Sequence, residues 1–283
     1  MIAPLLLVVA VLWSVPAAAT EKPAIWLFNI TKDQAVLGNR LNVPSPIASI
    51  TKLMTAIVTL DHDNDLDRAI TVPGGGRLPA GQHSRRDVLT AMLIRSDNIA
   101  SEAIAADYPG GRKDFVAAMN RRGREIGMIS TRFADPSGLS MANVSTPVSV
   151  GTLVMISSLY PFIVETSVKK QVMFEVNRGR RIRTIEIENT NKPLLFEFDE
   201  IRVSKTGYTT AAGWCVGMLV ESHGQEFVVV IMGAQSKQQR NELARTTIYN
   251  QLQDIEVDWI EEQARPWWQR WWQSLNIRMS KEQ

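Results

Sequence analysis

The chain has 283 residues, 45% of them hydrophobic, and its 31 basic and 29 acidic residues leave a formal net charge of +2. That is enough apolar material for a large buried core and excludes a disordered chain, while the near balance of signs gives no reason to invoke nucleic acid. A single cysteine, Cys215, excludes an internal disulfide framework; beside its apolar neighbours it reads as a small buried side chain and no catalytic thiol.

In chain order, residues 1–19 read as an export signal. An apolar run over 5–15 is too short to span a bilayer comfortably, and Ala17-Ala18-Ala19 offers a cleavage site before Thr20. The run lacks a preceding Lys or Arg, so an uncleaved anchor is the alternative; either way the remainder is expected outside the cytoplasm, in the periplasm. Residues 20–254 contain no linker, repeat or low-complexity tract and are expected to form one folded unit. Strands are predicted over 24–30 and 34–41, with a Thr31-Lys32-Asp33 turn between them. The middle reads as helical over 50–60, 88–94, 99–106, 113–128 and 148–159, the second of these behind a capping pattern at Ser84-Arg85-Arg86-Asp87. Strands return over 201–206, 214–221 and 226–232, the last two joined by a turn at 222–225. The expected fold is α/β: an antiparallel sheet formed from both chain ends, flanked by helices, plus a helical subdomain. Residues 255–283 form a Trp-rich tail.

Three motifs fall in one order on this framework: Ser49-Ile50-Thr51-Lys52, Ser96-Asp97-Asn98 and Lys205-Thr206-Gly207. The first two come from the helical side and the third from a strand, so a cleft between them is the expected site. Residues three apart on a helix share a face, which puts Lys52 within reach of Ser49. A serine hydroxyl needs a base, and making a lysine neutral at pH 7 costs about 4–5 kcal/mol from its ordinary pKa. Burial and a second cation both lower that pKa, and Lys205 is the candidate cation. Ser96 is placed to relay a proton to a leaving amine, and Asn98 to hold Lys52 and a substrate peptide group. Lys205 and the Thr206 hydroxyl suit a substrate carboxylate, and Gly207 is expected to let substrate backbone lie close to the strand. The backbone N–H groups of Ser49 and Tyr208 are the candidate oxyanion hole. This chemistry requires no metal and no organic cofactor.

The S-x-x-K pattern alone is unspecific: Ser167-Val168-Lys169-Lys170 also matches. That copy follows the S-D-N motif and leads into a charged, strand-like run, so it is expected at the surface. The ordered triplet is the specific signal.

With these motifs the sequence resembles the D-alanyl-D-alanine carboxypeptidase/endopeptidase family of low-molecular-mass penicillin-binding proteins. Matching stretches run beyond them, at 46–56, 108–111, 133–139, 189–191 and 205–213, within a similarity covering roughly residues 22–250. The segments PIASITKLMTA and KTGYTTAAGWC most resemble the penicillin-binding protein 7 type of DD-endopeptidase. The carboxypeptidase branch carries a further β-rich domain, for which the stretch after Leu252 is too short, again favouring the endopeptidase type. The resemblance implies a β-lactamase-type fold and hydrolysis of D-Ala bonds in peptidoglycan stem peptides through an acyl-enzyme on Ser49. It also implies covalent capture by β-lactam antibiotics. Tyr208 stands where many carboxypeptidases have His, which bears on substrate preference and not on acyl transfer. A carboxypeptidase trimming pentapeptides is the alternative. A class A β-lactamase needs a further Glu for deacylation, and residues 132–139 contain none. A non-catalytic wall-binding scaffold has no support, because every named group is intact.

Other features take plainer readings. Asp61-His62-Asp63-Asn64-Asp65 lacks the Gly and downstream Glu of a calcium loop and reads as a solvated helix end. His83 and His223 sit in turns without a zinc pattern, and Gly74-Gly75-Gly76 has no Lys-Ser/Thr behind it. In the tail, a helix begun at Pro266 gathers Trp267, Trp268, Trp271, Trp272, Leu275 and Met279 into one arc, with Arg265, Arg270 and Arg278 nearby. That pattern suits peripheral contact with a membrane surface; packing on the core or on a partner is the alternative.

Overall fold

The computed structural model describes residues 22–178, 181–253 and 259–260. The predicted signal segment and the helix expected from Pro266 lie outside them. The chain enters through β1 (Ala24–Asn29) and β2 (Gln34–Gly38), and a short β3 (Ser45–Pro46) and a 3-10 turn (Ala48–Ile50) lead into α1 (Thr51–His62). The helical lobe continues with β4 (Ala69–Val72), β5 (Gly81–Ser84), α2 (Arg85–Arg95), α3 (Asn98–Asp107) and α4 (Gly111–Glu125). After β6 (Val144–Ser145) come α5 (Pro147–Ser157), α6 (Pro161–Ser167) and the hairpin β7 (Gln171–Arg178) and β8 (Arg181–Glu188). Then α7 (Lys192–Glu197) precedes β9 (Ile201–Thr209), β10 (Gly213–Ser222) and β11 (Gln225–Ala234), followed by α8 (Lys237–Leu252) and β12 (Trp259–Ile260).

The main sheet has the order β12-β2-β1-β11-β10-β9, so strands from both ends of the chain do meet. All its pairings are antiparallel except β12 on β2. The β10–β11 hairpin closes through His223 (φ 48°) and Gly224 (φ 72°), two left-handed residues whose twist matches that of the strands they join. Alternate side chains feed two cores. Trp26, Phe28, Val228 and Val230 pack with α1, α2 and α5 on one face; Leu27, Val229, Ile231 and Met218 pack with Ala244 and Ile248 of α8 on the other. Helices on both faces explain why 228–232 is apolar without alternation.

Caps set the helix starts. The Ser84 Oγ accepts from Asp87 N at 3.1 Å, as its spacing predicted, and Thr146 Oγ1 accepts from Ser149 N at 3.2 Å with Pro147 in the first turn. Each such cap contributes about 1 kcal/mol. Some boundaries differ from the sequence reading. β2 stops at Gly38 instead of residue 41, and Trp259–Ile260 of the expected tail joins the sheet beside β2. The charged, strand-like run after Lys170 is β7, paired with β8 in a hairpin, whereas the β4–β5 hairpin and helices α6 and α7 were not anticipated. They are short, and tertiary contacts rather than periodicity define them.

Candidate active site

Ser49 sits at the centre of the 3-10 turn, one residue before Ile50, the N-cap of α1, which begins at Thr51. The turn is strained at Ala48, whose φ of 47° is left-handed for a residue with a Cβ. Two glycines hold it. A Cβ on Gly207 would lie 2.9 Å from the Ile47 carbonyl oxygen and 3.0 Å from Ser49 N, and one on Gly138 would overlap the Ala48 carbonyl. Gly207 therefore makes room for the nucleophile's own turn, clamping β9 against residues 47–49, while it also lines the cleft where substrate backbone is expected.

Lys52, three residues on, is fully buried. Its Nζ lies 3.0 Å from Ser49 Oγ, donates to Asn98 Oδ1 at 2.7 Å, and donates to the Ser137 carbonyl. A neutral amine has two donors and one lone pair, which suits two carbonyl-type acceptors and one hydroxyl proton. Burial pushes its pKa down to about 7, against the opposing charges of Asp135, Asp97 and Glu102. Burial, and not Lys205, thus has the largest part in keeping Lys52 neutral.

The S-D-N motif is a junction of two helices. Ser96 ends α2 in the left-handed conformation (φ 62°), Asp97 caps α3, and Asn98 is the first residue of α3. The Asp97 carboxylate accepts from Ile99 N at 2.8 Å, Ala100 N at 3.1 Å and Arg77 N. This corner aims both Ser96 and Asn98 into the cleft. Ser96 Oγ accepts from Lys205 Nζ at 3.0 Å and so is joined to Lys205, not to Lys52 as the relay reading required. Lys205 also donates to the Thr206 carbonyl at 2.9 Å, and burial, then Lys52 and Arg240, push its pKa well down. The Thr206 hydroxyl donates to Thr190 Oγ1 at 2.7 Å. β9 carries these residues along the open edge of the sheet.

A third wall was only partly legible. Residues 133–139 stood out in sequence as a stretch without a Glu, yet they supply the carbonyl on Lys52. The buried Asp135 carboxylate shapes this loop by accepting from Ser137 N (2.8 Å), Gly138 N (2.5 Å) and Ser140 N (2.6 Å). Burial works to raise its pKa, but these N–H groups prevail and hold it below the usual range. Asp135 therefore faces its own backbone. Thr190 stood out only as part of the matching stretch 189–191, with no role assigned, and Arg240 escaped the sequence reading because an Arg on a helix carries no spacing signal.

The cleft over this centre has a volume of about 820 Å³ and is lined by Ser49, Ser96, Asn98, Thr206, Gly207 and Tyr208 among others. Tyr208 is half exposed and stacks on Trp214 with ring centroids 4.2 Å apart. Ser167 of the second S-x-x-K copy is buried, its Oγ accepting from Ser204 N, which corrects the surface reading for that residue. Lys169 and Lys170 lie at the surface, paired with Glu165 and Asp199. Cys215 is buried, and burial pushes its thiol up to about 11. Of the acidic residues at the end of α1, Asp61 pairs with Arg122 and Asp63 with Arg85.

A helix–sheet–helix fold in which a cleft-lining serine meets a buried lysine opposite the edge strand defines a serine-type acyl-transfer enzyme. The chain belongs to the D-alanyl-D-alanine carboxypeptidase family, peptidase S11, whose sequence profile matches residues 77–236. D-alanyl-D-alanine endopeptidases of Escherichia coli and Pseudomonas aeruginosa are 34% and 36% identical to it over 222 and 204 residues. Those spans are 75% and 68% of this chain and 71% and 64% of the two relatives. The crystal structure of the Streptomyces K15 DD-transpeptidase shares the fold, with a TM-score of 0.75 over 81% of this chain and 96% of that one at 23% identity.

Proposed function

We propose that this chain is a penicillin-binding serine DD-endopeptidase that hydrolyses D-alanyl cross-links in peptidoglycan. The observation that carries the reading is Lys52, which joins Ser49 to Asn98 from a site where burial lowers its pKa to about 7, so that a neutral amine is available near neutral pH. Ser49 Oγ attacks the D-Ala carbonyl as Lys52 Nζ takes its proton, and the oxyanion meets the N–H groups of Ser49 and Tyr208. The C–N bond then breaks, and the leaving amine takes the proton that Lys52 Nζ received from Ser49. Water hydrolyses the ester, returning Ser49 and a free D-Ala carboxylate. Lys205 and Thr206 hold the carboxylate beside the scissile amide. β-Lactams acylate Ser49 in the same way. The reading is supported by the endopeptidases named above; among the described residues the hydrogen-bond partners of Lys52 Nζ are Ser49, Asn98 and the Ser137 carbonyl, with no carboxylate of the kind a class A β-lactamase uses for deacylation.

The proposal extends to place: the protein is exported to the periplasm, and its Trp-rich tail touches the membrane surface. Deleting 264–283 should abolish cosedimentation with liposomes; undiminished binding would rule the tail out. The activity itself is tested by digesting purified muropeptides with residues 20–283 beside a Ser49→Ala control, read by mass spectrometry. Cross-linked dimers should fall to monomers while pentapeptides persist. Loss of one D-Ala from pentapeptides with dimers intact would make it a carboxypeptidase instead.

A further inference from the structure

The three motifs leave the charge of the cleft wall unexplained. Arg77, Arg95, Lys192, Lys237 and Arg240 all line it, against the single carboxylate of Glu188. Glu188 is already bonded to Lys192, and it also feels the charge of Arg95. Among the described residues Arg77, Arg95 and Lys237 have no ion-pair partner within salt-bridge distance. Such a concentration of one sign in a concave site favours anionic ligands.

Arg77 and Arg95 differ from the other cations in where their backbones are fixed. Arg77 N–H donates to the Asp97 carboxylate, and Gly76 before it lies so close that a Cβ there would sit 2.6 Å from both Asp97 oxygens. Arg95 is the last residue of α2, directly before Ser96. Both side chains therefore spring from backbone anchored to the Ser96-Asp97-Asn98 corner, a different wall from the β9 edge that carries Lys205 and Thr206. Guanidinium groups suit planar, two-point recognition of carboxylates.

We propose that Arg77 and Arg95 form a second carboxylate subsite on the Ser96 wall, selecting acidic stem peptides with a free carboxylate beyond the one at the scissile residue. This rests on the peptidase reading and narrows its substrate class: stem peptides with a free side-chain carboxylate are preferred over those in which it is amidated.

The test is calorimetric binding to Ser49→Ala protein of two stem tetrapeptides built on diaminopimelate, a diamino acid with a second carboxyl group, one with that carboxyl free and one with it amidated. The free acid should bind about tenfold tighter, as expected for charge-assisted hydrogen bonds, and adding Arg77→Gln and Arg95→Gln should shrink the gap to about twofold or less. Raising salt should narrow it too. Equal binding of the two peptides, binding of neither at millimolar concentration, or a preference that survives both substitutions would overturn the subsite. Because the parent measurement needs no arginine variant, misfolding of a variant does not protect the idea. Cross-link cleavage by the unsubstituted enzyme is followed separately. Failure there removes the endopeptidase reading, while the binding data still judge the subsite.

Discussion

The pH dependence of acylation follows from the burial of one lysine. Lys52 titrates at about 7 instead of 10.5, a shift whose largest cause is burial. Because the group is fully buried, the shift converts without discount for solvent screening to about 5 kcal/mol disfavouring the ammonium. At pH 7 about half of the molecules then hold a neutral base, against roughly one in three thousand for an ordinary lysine. The sign is fixed: the active form is the deprotonated one, so activity appears as pH rises through the folded pKa. The rate of acylation by a fluorescent penicillin should climb about tenfold per pH unit below 6 and level off near pH 8. Stopped-time gel fluorescence across pH 5–10 measures this. A limb centred near 10, or a rate flat from 5 to 9, would refute the claim that burial prepares Lys52 as the base. Lys52→Arg places a cation that stays charged in the same position and should cost about 10³-fold at every pH in that range.

Other consequences concern the frame around the site. Gly207→Ala would press a methyl to about 3 Å from the Ile47 carbonyl and Ser49 N, so we expect acylation to fall about 100-fold and stability by about 1–3 kcal/mol. Wild-type acylation in that variant would show that β9 does not clamp the nucleophile turn. Asp97→Ala removes the acceptor of three backbone N–H groups and should lower the urea-unfolding stability by about 2 kcal/mol, with Asp97→Asn losing less. An unchanged midpoint would contradict the capping role. Cys215, buried with its thiol at about 11, should resist maleimide at pH 8 until the protein unfolds; prompt labelling of native protein would contradict its burial.

The relation of sequence to structure is clearest at particular residues. Ser49 and Lys52 were legible because a three-residue spacing is a local property: any turn of helix brings them together, and in the fold Lys52 Nζ lies 3.0 Å from Ser49 Oγ. The Ser84 cap and the His223-Gly224 turn were legible for the same reason, as each depends on neighbours within a few residues. Long apolar strands at 214–221 and 226–232 announced a sheet, and their burial on both faces left no other environment for them.

What only the tertiary structure decided lies between distant segments. Ser96 pairs with Lys205 across 109 residues of sequence, and Lys52 meets the Ser137 carbonyl across 85. A backbone carbonyl has no residue type to betray it, so the 133–139 wall was recognised as a stretch but not as a contact. The purpose of Gly207 depends on which backbone comes to lie against it, and that is the nucleophile's turn. Likewise the charge state of Lys52 is set by the water excluded around it, a quantity the identity of its neighbours in sequence does not carry. The sequence by itself determined which groups the reaction would use and on which kind of element each would stand. Packing decided their partners, their protonation and the cationic wall opposite β9, because those depend on distances that only the folded chain defines.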